Sequence, residues 1–184
     1  FVHKGEVYMF ACSTEYGDLL IGKSIDGGKT FSAPVCLLRG SNGKNGNNGV
    51  HKNPQNIIIH NGRLYTTFEW GAWANTEYCH AAAVMSCDVN DNLLVPENWS
   101  FTEPKKFEPS APEIAHLPKN TMTIEGTPAV SPENELFNIM RFGGDRCVIA
   151  YKVNTDNHEA VLEYSHCISL SRVFLKFPTT YNIY

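Results

Sequence analysis

The run Ser24-Ile25-Asp26-Gly27-Gly28-Lys29-Thr30-Phe31, SIDGGKTF in one-letter code, gathers two hydroxyls, a carboxylate, two glycines and an aromatic ring into eight residues. It is too polar for a core and too ordered for a linker. Its chemistry is local: in an Asx-type turn a carboxylate and a hydroxyl bond nearby backbone N–H groups, and glycine supplies the backbone angles that other residues avoid. Asp26 therefore reads as a turn-former rather than a catalytic acid, and the run as a corner between two strands.

Working outward, helical periodicity gives way to short alternating runs bounded by turn residues. EVYMFAC from Glu6, LLIGKS from Leu19, NIIIH from Asn56, RLYTTFEW from Arg63, AAAVMSC from Ala81, ELFNIMRF from Glu135, CVIAYKV from Cys147 and AVLEYSHC from Ala160 all read as strands. A tight polar turn leading into an apolar strand recurs three times, as HKGEVYMF from His3, HNGRLYTTF from His60 and SPENELFNIM from Ser131. Asn61-Gly62 is the clearest corner, because a type I′ turn needs positive φ at both central residues. The chain thus repeats a unit of about four short strands, a period that signals a propeller or solenoid. Modules are expected at about 1–39, 50–107 and 120–177, all within one all-β domain. The Gly/Asn-rich stretch GSNGKNGNNG from Gly40 and the proline-rich KKFEPSAPEIAHLPKN from Lys105 read as connections between them.

The 184 residues, 42% hydrophobic and 18% charged, suit a globular chain, and the net charge of -4 leaves no basic footprint for nucleic acid. No apolar run is long enough to span a bilayer, so no membrane partner is expected. The chain opens on Phe1, without an initiator Met or the regions of a signal peptide, which reads as a cut or processed end. Six cysteines lie without a CxxC pair or zinc-like spacing, so buried thiols and disulfides both stay open and no metal site or cofactor is expected. Asn98-Trp99-Ser100 fits a glycosylation sequon.

Ser24, Asp26, Gly28, Thr30 and Phe31 match the pattern S-x-D-x-G-x-T-[WF], and the chain here resembles the Asp-box (BNR-repeat) propellers of the sialidase, or neuraminidase, superfamily. A decayed copy, SCDVNDNLLVPENW, keeps Ser86, Asp88 and Trp99. The resemblance implies a six-bladed propeller of which about three blades are present, with the Asp box as a structural corner. It also implies an exo-acting glycoside hydrolase on terminal sialic acid or a related acidic sugar, working outside the cell or in a periplasm. In IEGTPAVSPENELFNIMRF, Glu125 and Arg141 stand sixteen residues apart at the places where such enzymes carry a Glu that polarises a nucleophilic Tyr and an Arg that clamps the substrate carboxylate. The other catalytic groups would come from further blades, so this chain alone is expected to be inactive. Beside the resemblance, a Glu starting an apolar strand at a propeller's centre would lose solvent and hold its proton more tightly, and an Arg at a strand end offers a bidentate fork.

Two further stretches carry candidate binding groups. EWGAWANTEYCH sets Glu69, Trp70, Trp73, Glu77, Tyr78 and His80 together after a strand, and rings beside carboxylates suit a sugar site; the alternative is that the tryptophans fill space between blades. GVHKNPQ opens the second module where MTIEGTP opens the third, with Pro54 and Pro128 in matching places, so His51 and Lys52 are expected to face the central channel and Lys52 to attract an anionic sugar. Two other functions stay open. One is a non-catalytic carbohydrate-binding propeller. The other is a polysaccharide lyase on the same fold, with a His or Tyr base against a uronate, in which His51 would matter more than Glu125.

Overall fold

The computed structural model describes residues 1–41, 46–74, 79–107, 123–142, 147–155 and 162–169. Three antiparallel sheets follow one another along the chain. The first joins β1 (Val2–His3), β2 (Glu6–Cys12), β3 (Leu19–Ser24) and β4 (Val35–Leu38) in sequence order. The second contains β5 (Gly49–His51), β6 (Ile58–His60), β7 (Arg63–Gly71), β8 (Ala81–Asp88) and β9 (Trp99–Phe101). Both β5 and β6 pair with β7, so the first strand of this sheet is interrupted by residues 52–57. The third joins β10 (Thr123–Val130), β11 (Leu136–Phe142), β12 (Cys147–Val153) and β13 (Leu162–Ser169). Among the described residues there is no α-helix, and no helix is long and apolar enough to cross a membrane.

The hairpin corners follow from their residues. His60 pairs with Arg63 across Asn61 (φ 46°) and Gly62 (φ 76°), and His3 pairs with Glu6 across Lys4 (φ 49°) and Gly5 (φ 79°). Both are two-residue loops with positive φ at each central position, the geometry whose twist matches that of the flanking strands.

SIDGGKTF closes the link from β3 to β4. The Asp26 carboxylate accepts hydrogen bonds from the Ser24 hydroxyl (2.7 Å), the Lys29 and Thr30 N–H groups (2.9 Å each) and the Thr30 hydroxyl (2.6 Å). Gly28 N–H donates to Ser24 Oγ at 2.8 Å, and Phe31 folds back over Gly22. The side-chain oxygens of Ser24, Asp26 and Thr30 are all spent on the corner itself.

The second sheet is covered on both faces. On β8, Ala83, Met85 and Cys87 point to a cluster with Tyr8, Leu19 and Ile21 of the first sheet, while Ala82 and Val84 point to one with Leu136, Met140 and Ile149 of the third. Double coverage explains why AAAVMSC is apolar at successive positions instead of alternating, since neither face meets water. Cys12, Cys36, Cys79 and Cys87 are free thiols.

The third sheet docks through Gly126. Its N–H and carbonyl bond Glu69 and Thr67 of the second sheet, while a Cβ there would lie 2.4 Å from both Asn138 Oδ1 and Met140 Sδ of β11 in its own sheet, so only glycine fits without displacing those side chains. Gly126→Ala is expected to lower unfolding free energy by ~1–3 kcal/mol, the ordinary cost of overpacking, readable as a lower urea midpoint. An unchanged midpoint would mean that the Asn138 and Met140 side chains move aside without cost.

Asp26 gives a second test. Its hydrogen bonds, first among them the Thr30 hydroxyl, hold its carboxyl far below the ordinary value of 3.8. A depressed carboxyl contributes stability that is fully present above the unfolded value and fades as pH falls below it. The urea midpoint of Asp26→Asn should therefore lie below wild type at pH 7, and the gap should narrow on acidification below pH 3.8. A gap independent of pH would contradict this account.

Candidate functional site

A cluster of buried and half-buried polar side chains lies where the second sheet meets the first and third. His51 on β5 pairs in register with Glu69 on β7, so their side chains stand side by side on one face. His51 Nδ1 and Glu69 Oε2 are 2.8 Å apart. The other carboxylate oxygen, Oε1, accepts the Gly126 N–H of the third sheet at 3.2 Å, and the neighbouring Thr67 hydroxyl donates to the Gly126 carbonyl. Glu69 is only 1% exposed, so its charge is carried inside the protein by these two partners.

His80 immediately precedes β8 with a left-handed backbone, φ 53°, and its carbonyl accepts the Thr123 hydroxyl at 3.2 Å. Its ring meets that of His51 edge to face, centroids 4.9 Å apart, and its Nε2 lies 3.0 Å from the Tyr16 hydroxyl. Tyr16 comes from the link between β2 and β3, also at positive φ (54°). Its carbonyl packs so closely on Gly49 that a Cβ there would sit 1.6 Å away, so glycine at position 49 is what lets the Tyr16 turn reach the cluster. Burial, with the His51 ring beside it, pushes His80 down to about 4, leaving a neutral imidazole at pH 7. Burial pushes the Tyr16 phenol up, so it stays protonated.

Around this centre the predicted groups fall in different places. Trp73 stands 51% exposed with its ring centroid 4.3 Å from that of His80, a platform at the rim. Trp70 instead packs on the core cluster shared by the first two sheets and borders a crevice of ≈ 340 Å³ with Leu38, Phe68 and Phe101. Lys52 follows His51, donates to the Asn53 carbonyl at 2.8 Å and holds its Nζ 5.7 Å from the Phe10 ring centroid. It borders a cavity of ≈ 590 Å³ with Phe1, Tyr8, Phe10 and Gln55. Glu77 and Tyr78 lie outside the described residues.

Glu125 and Arg141 are brought together, as an ion pair with each other: Arg141 Nε to Glu125 Oε2 is 2.7 Å. Glu125 sits in the irregularity between Ile124 and Thr127 with φ 57°. That kink turns Gly126 towards Glu69 and leaves the Glu125 side chain 44% exposed, so the desolvated carboxyl expected there is not what is found. Tyr16, the residue that sequence reasoning did not select, sits in STEYGD, a polar turn with no motif of its own. The ligand atoms of His51, Glu69 and His80 all lie within 4.8 Å of one another, a grouping that their separation along the chain conceals.

No protein family and no curated protein matches the chain in sequence. Among solved structures it is similar to an α-L-arabinofuranosidase from Lactobacillus brevis, at 14% identity and a TM-score of 0.52, over 90% of this chain and 54% of that one. It is also similar to a polysaccharide lyase of family PL25, an ulvan lyase, at 16% identity and a TM-score of 0.49, over 86% of this chain and 40% of that one. The chain therefore spans about half or less of the length of the structures it matches. What the likeness shows is the fold: all-β, built from curled antiparallel sheets in a propeller-like arrangement.

Lys52 supplies a test of the site's electrostatics. Burial brings its ammonium down to about 8 from 10.5, against the opposing pull of Glu69. An amine with a lowered folded value makes the protein more stable as pH rises from about 8 to 10.5, and this gain is absent below 8. Carbon-detected NMR of the Lys52 side chain should titrate near pH 8, and Lys52→Met should lose the rise in urea midpoint across that window. A midpoint at the ordinary lysine value would refute the burial argument.

Proposed function

We propose that the protein carrying this chain acts on a glycan containing an acidic sugar, and that His51 is the group that moves the proton. The six-bladed closure, the partner blades and a location outside the cytoplasm belong to the same reading and rest on the Asp-box resemblance. The observation that carries the chemistry is the His51–Glu69 pair. A carboxylate on Nδ1 fixes that nitrogen as the proton-bearing one and leaves Nε2 with the lone pair, the arrangement of a general base. His51 is also the accessible member of the cluster, its side chain 30% exposed, whereas His80 and Tyr16 are buried and act as positioning residues behind it.

The reaction that this arrangement fits best is β-elimination beside a uronate carboxyl. Lys52, the residue after β5, carries a positive charge in the neighbouring cavity that would attract an anionic chain, and Trp73 offers a stacking face at the rim. His51 Nε2 takes the proton at C5; the electrons form the C4=C5 double bond as the C4–O bond breaks; the imidazolium returns the proton to the leaving oxygen. Acid and base are then one residue on one face of the sugar.

The test uses the full-length protein with uronate-containing polysaccharides, following the ultraviolet absorbance of the unsaturated product. His51→Ala should lower the rate at least ~100-fold, within the usual range for a general base, and Glu125→Gln should leave it within about threefold. The second reading, a sialidase-like hydrolase, draws on Glu125 and Arg141. It takes over if a sialoside leaving group is released and Glu125→Gln abolishes that release while His51→Ala does not. Binding without turnover of either substrate would support a non-catalytic carbohydrate-binding propeller.

A further inference from the structure

We propose that His51, Glu69 and His80 form a binding site for a divalent transition-metal ion of the zinc type, which occupies the place of the proton between His51 and Glu69. The inference concerns the cluster described above but holds whether or not elimination is the reaction there. Two imidazole nitrogens and one carboxylate oxygen are a ligand set that zinc takes with a fourth position open, and imidazole disfavours calcium and magnesium. The three ligand atoms come from β5, β7 and the residue before β8, and lie within 4.8 Å of one another. Bonds of the usual zinc length place ligand atoms roughly 3.4 Å apart, a contraction that small side-chain rotations supply.

A second observation points the same way. His80 is 1% exposed, yet its Nδ1 has no hydrogen-bond partner among the described residues. An orphaned polar atom at such depth calls for an occupant. The surrounding contacts are those of ligands held from behind: Tyr16 fixes His80 through Nε2, and the Gly126 N–H fixes Glu69 through Oε1. With the ion on His51 Nδ1, that ring's one proton sits on Nε2, so a loaded site has no free base. The ion is therefore a reversible inhibitor of any proton transfer by His51.

The experiment is a calorimetric titration of zinc chloride into the full-length protein, without glycan, alongside the absorption spectrum of the cobalt-loaded form. One ion per chain is expected, with Glu69→Gln and His80→Ala each weakening binding by at least about tenfold. His51→Ala, at a more exposed position, serves if His80→Ala fails to fold. Cobalt should show tetrahedral d–d bands without the charge-transfer band of a thiolate. Unchanged binding in these variants, loss of binding in Cys12→Ser or Cys79→Ser, or no binding at all would overturn the proposal. Because no sugar is present, failure here leaves the elimination reading standing, and failure of the ultraviolet assay leaves the metal site standing.

Discussion

The buried carboxylate of Glu69 is the group on which the arrangement turns. An uncompensated charge at that depth is strongly destabilising, so its two oxygens must be met by donors. One donor, the Gly126 N–H, belongs to the third sheet, and the other side chain, His51, belongs to the interrupted first strand of the second. A single charge thereby ties the docking of two sheets to the orientation of the most exposed imidazole in the cluster. The space for glycine at 126 is set from the other side, by Asn138 and Met140 of the neighbouring strand in the same sheet.

The sheets themselves rest on ordinary packing. Alternate residues of β8 go to opposite cores, and the strand needs both neighbours to hide them. A sheet of this composition would be insoluble alone, which is why repetition of the unit and burial of the unit are one property.

Much of the fold was legible because it is specified locally. Asn61-Gly62, Lys4-Gly5 and the Asp-box corner each set their turn with their own residues, and the strands between them declare themselves by alternation or by unbroken apolar runs. The site was legible only in part. GVHKNPQ and EWGAWANTEYCH pointed to His51, Lys52, Glu69 and Trp73, yet nothing in either shows that His51 and Glu69 are register partners. Tyr16 escaped because its place depends on a close backbone approach at Gly49, a contact between distant turns. Glu125 and Arg141 carried the family pattern, but the kink at Ile124 to Thr127 decides which side chain faces inward, and such a register shift leaves no mark in spacing.

The break between β5 and β6 has an evolutionary side. Residues 52–57 are released from pairing with β7, so the segment beside His51 can change in sequence or length while the ladder on either side keeps its register. It also lines the cavity that begins at Lys52. Variation in what the protein recognises can therefore accumulate in a short insertion-tolerant loop, while the glutamate and the two histidines behind it stay fixed by the sheet.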